Sequence, residues 1–201
     1  MNINREQESG LIGMVLGDAY LQKTGARNAR LRLEHRADHS EYLVWKTRLL
    51  PKLFQGNPVF LKRIHPDTGR TYSYVRQQSN SSPYLGKIQR LFYSDGRKKI
   101  PDTLEKWLKS DIGFAIWFYD DGYYYVRDRS LYLYLGTVSR GEAEIASKTL
   151  RANFNLETTI ADKGKKGFAL YFPSRERDKV RKLLSKYPVP VMAYKIPQST
   201  A

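Results

Sequence analysis

Cysteine is absent from this 201-residue chain, and histidine occurs only at His35, His39 and His65. The lack of cysteine excludes a disulfide framework and a thiolate metal site, and it is compatible with a reducing intracellular setting. Carboxylates therefore remain the best candidate metal ligands, and the three histidines offer neither a better metal site nor a better nucleophile.

Long apolar segments are also missing. The longest apolar runs lie near residues 11–16 and 114–119 and are too short to cross a bilayer. The first eight residues are polar and charged, so no secretion signal is visible. We expect no membrane partner and an intracellular location, in the cytoplasm of a prokaryote or in an organelle.

Acidic residues are few beside basic ones. The chain has 20 Asp and Glu against 35 Lys and Arg, a net charge of +15. Such a balance favours a polyanionic partner, because each neutralised phosphate releases condensed counterions. A merely basic, soluble protein is the alternative that charge alone leaves open.

Two apolar segments, residues 10–19 and 113–122, resemble one another, and each carries an aspartate near its end. Asp18 and Asp121 lie 103 positions apart. A helix C-terminus repels an anion by roughly 0.3–1 kcal/mol, so two such aspartates require compensation. A divalent cation with oxygen ligands supplies it. Because Asp120 and Asp121 are adjacent, the second ligand can be either, and the repeat favours Asp121.

A second repeated feature follows each aspartate. The triplet Lys-Ile-Pro begins at Lys99 and at Lys195, which is 81 and 74 positions after the respective aspartates. Matching offsets indicate a duplicated module and pseudo-two-fold symmetry. Lys98 is the alternative to Lys99 in the first copy.

Hydrophobic periodicity predicts the order αββαββα in each half, hence an α+β fold. Residues 1–104 form the first half, with its motif helix at 9–18. Residues 105–201 form the second, with its motif helix at 112–121, and the halves share one core. In the strand near residues 29–36, odd-numbered residues are predicted to face inward and the charged even-numbered ones outward.

These features resemble the LAGLIDADG homing endonucleases, in the form where one chain carries both motifs. Residues 11–19 match the nine-residue motif well, and residues 114–122 match it more loosely. The resemblance implies that the motif helices pack side by side on a pseudo-two-fold axis. It also implies two four-stranded antiparallel sheets that form a saddle along the DNA major groove.

The resemblance further implies a function. We expect a monomeric, site-specific endonuclease that cuts both strands of a long double-stranded DNA target and leaves short 3′ overhangs. Two or more Mg²⁺ ions are the expected cofactors, and Mn²⁺ or Ca²⁺ can replace them for binding. The implied catalytic residues are Asp18, Asp121, Lys99 and Lys195; the implied metal ligands are Asp18, Asp121, Gly17 and Asp120.

Candidate DNA contacts are the long polar side chains of the predicted exposed strand faces and one turn. They are Arg30, Arg32, Arg36, Lys62, Tyr72, Tyr74, Arg76, Lys163, Lys165, Lys166 and Tyr171.

Two other functions compete with cleavage. One is a non-cleaving relative that binds nucleic acid, either a maturase with intron RNA as its partner or a regulator. Loss of a motif aspartate would mark such a relative, and both aspartates are present here. The other, a structural RNA-binding protein, explains the charge but not the paired aspartate segments.

Overall fold

The computed structural model describes residues 3–198, which divide by their contacts into two compact units. Residues 18–90 form the first unit. Residues 3–17 and 91–198 form the second.

The first unit consists of a four-stranded antiparallel sheet covered by helices. Helix α1 (Arg5–Leu16) comes first in the chain but belongs to the second unit. The elements of the first unit are β1 (Tyr20–Lys23), β2 (Ala29–Arg36), α2 (Ser40–Arg48), β3 (Val59–Ile64), β4 (Thr71–Gln78) and most of α3 (Pro83–Phe92), whose last two residues belong to the second unit. The strand order is β1-β2-β4-β3. The odd-numbered residues of β2 are buried, and the ring of Tyr42 in α2 lies 5.2 Å from that of His35 on this face. The predicted alternation is therefore confirmed.

The second unit contains α1 and a second sheet of the same kind. Its further elements are β5 (Tyr93–Ser94), β6 (Arg97–Lys98), α4 (Leu104–Trp107), α5 (Asp111–Asp121), β7 (Gly122–Tyr125), β8 (Ser130–Gly136), α6 (Arg140–Phe154), β9 (Thr159–Asp162), β10 (Phe168–Phe172) and α7 (Arg177–Ser185). The large sheet is antiparallel in the order β7-β8-β10-β9, which repeats the order of the first sheet. Aromatic rings of Phe114, Phe118, Phe154 and Phe172 pack together in its core.

Helices α1 and α5 pack directly against each other inside the second unit. Residues 9–16 and 112–119 are all buried, as expected for helices that are apolar nearly all round. The backbones approach closely at Gly13 and Gly113, where a Cβ on Gly13 would lie 3.0 Å from the Gly113 carbonyl carbon. Ser9 Oγ also accepts a hydrogen bond from the Ser110 amide at 2.9 Å.

The helix bounds differ from the prediction at one aspartate. α1 begins at Arg5, where Asn4 and Gln7 form a capping box, and ends at Leu16, so Asp18 lies beyond the helix and not in it. α5 ends at Asp121, as predicted. The helix ends before Asp18 because Gly17, its C-cap, has backbone angles outside the helical region, with φ −79° and ψ −133°.

The α+β fold and the order of its elements are confirmed. The division of the repeat near residue 104 stays a prediction; by contacts, α1 groups with the second unit because it packs on α5. The hairpin β5–β6 and a 3₁₀ helix at Pro190–Lys195 were not predicted. Within residues 3–198, no helix is long and apolar enough to cross a membrane.

Candidate functional site

Lys195 holds the C-terminal end of α5. Its ammonium group is buried, and it donates hydrogen bonds to the carbonyl oxygens of Tyr119 at 2.6 Å and Asp120 at 2.9 Å. A buried ammonium requires such partners, and a cation is favourable at a helix C-terminus. The 3₁₀ helix that ends at Lys195 sets this position.

Lys98 makes the corresponding contact at the end of α1. Its Nζ donates to the carbonyl oxygen of Gly17 at 2.6 Å. Gly17 and Asp120 are 103 positions apart, the same separation as Asp18 and Asp121. The two lysines therefore bind carbonyls at equivalent positions of the two motif segments.

The structure gives this contact to Lys98 and not to Lys99. The Lys99 side chain is exposed, while its amide donates to the Phe92 carbonyl oxygen at 2.8 Å. Lys99 was expected to be the counterpart of Lys195, but in the contact with the motif carbonyl that counterpart is Lys98. The reason is that the short hairpin β5–β6 directs the side chain of Lys98 toward the end of α1. The catalytic role of either lysine stays a prediction.

Asp18 lies directly after Gly17 and belongs to the first unit. Its side chain is half exposed, and one carboxylate oxygen lies 3.8 Å from Nδ1 of buried His35. His35 was not among the predicted site residues. The alternation of β2 placed it on the buried face, but nothing in the sequence pointed to Asp18 as its neighbour.

Asp120 and Asp121 end α5 with partly buried side chains. A Cβ on Gly17 would lie 2.5 Å from Cβ of Asp120, so a glycine at this position leaves room for the Asp120 side chain. In this unit, the carboxylates of Asp120 and Asp121 and the carbonyl of Gly17 all offer oxygen ligands, the type that Mg²⁺, Mn²⁺ and Ca²⁺ bind. The donor set fits a hard divalent cation, and the choice between Asp120 and Asp121 as ligand stays open.

A basic cleft of about 330 Å³ adjoins Lys98 in the second unit. Its walls are formed by Leu16, Arg97, Lys98, Lys99, Ile100, Trp117, Leu135, Thr137 and Val138. Three consecutive cationic residues beside an apolar wall suit an anionic group such as a phosphate.

The outer face of the first sheet brings together most of the predicted contacts of that unit. Strand pairing puts Arg32 opposite Gln78, and Arg36 opposite Tyr74, and the same face carries Arg30, Tyr72 and Arg76. Lys62 pairs with Ser73 and lies on the other face, whereas its neighbour Arg63 pairs with Tyr72 and lies on this one. A contact of Lys62 with nucleic acid stays a prediction, and Arg63 was missed.

Glu34 lies among the arginines of this face. Burial by itself raises the pKa of its carboxyl group, but hydrogen bonds from Arg63, Arg76 and Arg32 outweigh burial and lower the pKa to about 2. The carboxylate is therefore ionised at neutral pH.

The outer face of the second sheet is rich in tyrosine. Tyr132 pairs with Tyr171, with ring centroids 5.2 Å apart, and Lys163 Nζ lies 4.1 Å from the Tyr132 ring centre. Burial and the hydroxyl contact with Tyr125 raise the pKa of Tyr134 to about 12. The other two predicted turn residues, Lys165 and Lys166, are exposed in the 3₁₀ turn Gly164–Lys166 between β9 and β10.

Residues 9–180 match the LAGLIDADG DNA endonuclease family, and the chain belongs to this family. Among curated proteins, it is 28% identical to Protein RecA of Mycolicibacterium flavescens over 96% of this chain and 47% of that protein. It is 26% identical to probable intron-encoded endonuclease 1 of Wickerhamomyces canadensis, over 96% and 85% of the two chains. It is 25% identical to cytochrome b mRNA maturase bI2 of Debaryomyces hansenii, over 96% and 74%. The chain thus spans about half the length of its RecA relative.

Solved structures give the same fold. The homing endonuclease I-WcaI bound to its DNA recognition sequence superposes with a TM-score of 0.88 at 24% identity, covering 100% of this chain and 89% of that one. I-DmoI in complex with DNA and Mn has a TM-score of 0.53 at 18% identity, covering 92% and 100%. At these identities the likeness establishes the fold.

Proposed function

We propose that this protein is a site-specific, divalent-metal-dependent endonuclease that cuts both strands of a long double-stranded DNA target and leaves short 3′ overhangs. The observation that carries the proposal is the matched pair of lysine contacts. Lys98 and Lys195 bind carbonyls at equivalent ends of the two motif segments, and an aspartate follows each of these carbonyls.

The chemistry of these residues suits phosphodiester hydrolysis. Asp18 at one motif end, and Asp121 or Asp120 at the other, each offer a carboxylate, the ligand type that a hard divalent cation prefers. When bound, Mg²⁺ would activate a water molecule and stabilise the charge on the leaving oxygen. The ammonium groups of Lys98 and Lys195 fix the helix ends and offer positive charge to the developing oxyanion.

The partner is supported by charge and by the relatives. A net charge of +15 favours a polyanion, and I-WcaI binds a DNA recognition sequence. The two sheet faces supply arginine and tyrosine side chains of the length needed to reach base edges. We propose that the protein acts as a monomer, since one chain carries both motif segments.

A maturase is the second candidate, because a relative of similar identity is named as one. The same basic surfaces would then bind intron RNA. Retention of both motif aspartates favours cleavage, and both activities are compatible with one chain.

The test begins with target selection. Fragments of genomic DNA from the source organism are bound to the protein in Ca²⁺, recovered and then incubated with Mg²⁺ or with EDTA. We expect cutting of both strands in Mg²⁺, none in EDTA, and 3′ overhangs on sequencing of the ends. A protein that binds duplexes but never cuts them, and that accelerates splicing of an intron RNA, would support the maturase instead.

A further inference from the structure

We propose that Glu34 is a positioning residue of the outer face of the first sheet, and that it contacts no DNA itself. It fixes the guanidinium groups of Arg32, Arg63 and Arg76 in the orientation in which they read base edges. The inference rests on the proposed function, since it concerns how that protein recognises its target.

Three strands contribute to this cluster. Glu34 on β2 is the register partner of Arg76 on β4, and Arg63 reaches across from β3. Arg76 Nε and a terminal nitrogen of Arg76 lie 2.7 and 2.6 Å from Oε2 of Glu34. Arg63 donates to Oε1 at 2.7 Å and to Oε2 at 2.8 Å, and Arg32 donates to Oε2 at 3.3 Å.

These contacts leave Glu34 little capacity for a base. An ionised carboxylate offers about four acceptor sites, and the arginine nitrogens already engage both of its oxygens. Its side chain is only 22% exposed, whereas that of Arg63 is 46% exposed. The Arg76 side chain is as buried as that of Glu34, at 23% exposed, and that of Arg32 is 33% exposed, so Arg63 and Arg32 are the more accessible arginines of the cluster.

The arginines keep the donors that recognition requires. Each guanidinium has five N–H donors in a rigid plane, and Glu34 engages no more than two nitrogens of any one of them. A bidentate contact with guanine O6 and N7 requires two donors. The guanidinium group of Arg63 also packs over the ring of Tyr74, with Cζ 4.7 Å from the ring centre, which further restricts its orientation.

Fixing these side chains in advance changes specificity more than affinity. An arginine that Glu34 already holds in position loses little conformational entropy when it binds a base edge. It is also kept from turning toward the nearest phosphate. Without Glu34, one negative charge is lost and three mobile arginines can bind phosphates of any sequence. Non-specific affinity should then rise while discrimination falls.

The experiment compares Glu34→Ala with Glu41→Ala in the full chain. Both substitutions remove one negative charge, but Glu41 is an exposed residue of α2, the helix that packs on the buried face of the sheet. Binding to the selected target, to its single-base-pair variants and to unrelated duplex is measured in Ca²⁺ over a series of salt concentrations.

We expect Glu34→Ala to reduce discrimination between target and unrelated duplex about 10-fold or more, since one bidentate contact contributes a factor of about 5–150. The loss should extend over several base pairs. Unrelated duplex should bind more tightly, with a salt slope steeper by about 1–2. Glu41→Ala should leave discrimination unchanged, and Glu34→Gln, whose single carbonyl oxygen retains part of the cluster, should lie between the two.

Unchanged discrimination in Glu34→Ala or Glu34→Gln, with a wild-type circular dichroism spectrum, would overturn the inference. A loss confined to one cytosine would also overturn it, because it would mean that Glu34 reads a base directly. If the wild-type chain itself fails to distinguish any duplex, the proposed function fails, which is a separate result.

Discussion

The substitution Gly13→Ala tests the packing of the two motif helices in the second unit. The added Cβ would lie 3.0 Å from the carbonyl carbon and 3.1 Å from Cα of Gly113, and closer still to the carbonyl oxygen. These are backbone atoms of a helix, so they cannot rotate away as a flexible side chain could. The two helices must therefore separate or shift.

Overpacking of this kind costs about 1–3 kcal/mol. It opposes the gain of about 1 kcal/mol that alanine brings to a helix interior. Because the clash is with backbone atoms, we expect a cost in the upper part of this range, so that after the alanine gain Gly13→Ala lowers the free energy of unfolding by about 1–2 kcal/mol. The measurement is urea denaturation followed by circular dichroism, with an unchanged m-value expected.

Gly141→Ala is the matched control. Gly141 lies in α6, and a Cβ there would have no atom within 4 Å, so we expect a gain of about 0.5–1 kcal/mol. If Gly13→Ala is as stable as the wild-type protein, or gains as much as Gly141→Ala, the close approach of α1 and α5 is refuted.

Three further predictions concern single side chains. In single-turnover cleavage on saturating DNA, Lys98→Met should slow cutting far more than Lys99→Met, because the hydrogen bond to the Gly17 carbonyl comes from Lys98 and not from Lys99. Tyr119→Phe should lower the free energy of unfolding in urea by about 1–2 kcal/mol, because the buried carbonyl of Leu184 loses its hydroxyl donor. Since the pKa of Glu34 is lowered to about 2 from its usual value of 4.5, it stabilises the fold above pH 4.5, and this contribution is lost as the pH falls toward 2. Glu34→Gln should therefore show a smaller fall in melting temperature between pH 5 and pH 3 than the wild-type protein.

Each of these has a clear contrary result. Slow cutting by Lys99→Met with normal cutting by Lys98→Met would restore the assignment from the repeated triplet. Unchanged stability in Tyr119→Phe would mean that water replaces the phenol. Equal losses of melting temperature on acidification would mean that the arginines do not stabilise the Glu34 carboxylate.

The order of elements and the two faces of β2 were predictable from the sequence, whereas in β3 Lys62 was grouped with the wrong face. Residues 29–36 alternate between apolar and charged side chains, and only a half-buried strand satisfies that pattern. The motif helices were recognisable because an apolar segment with almost no polar face must be buried.

Three features of the site depended on geometry that no pattern in the sequence carries. The strands β5 and β6 have two residues each, too few for a periodic signal, and a shift of one residue there decides whether Lys98 or Lys99 faces α1. The Gly13 contact depends on where the two helices cross, which the residue pattern of either helix alone does not give. The Glu34 cluster requires the strand order, because its arginines come from three strands.

The central proposal is that the motif aspartates Asp18 and Asp121 each bind divalent metal for DNA cutting. Single-turnover cleavage of a plasmid that carries the selected target tests it most directly, with wild-type protein, Asp18→Asn, Asp121→Asn and the control Asp67→Asn, which changes an exposed turn carboxylate. We predict that Asp18→Asn and Asp121→Asn abolish double-strand cutting in Mg²⁺ while binding the target in Ca²⁺ within a few-fold of wild type, and that Asp67→Asn cuts normally. Cutting of both strands by Asp18→Asn at the wild-type rate would contradict the account.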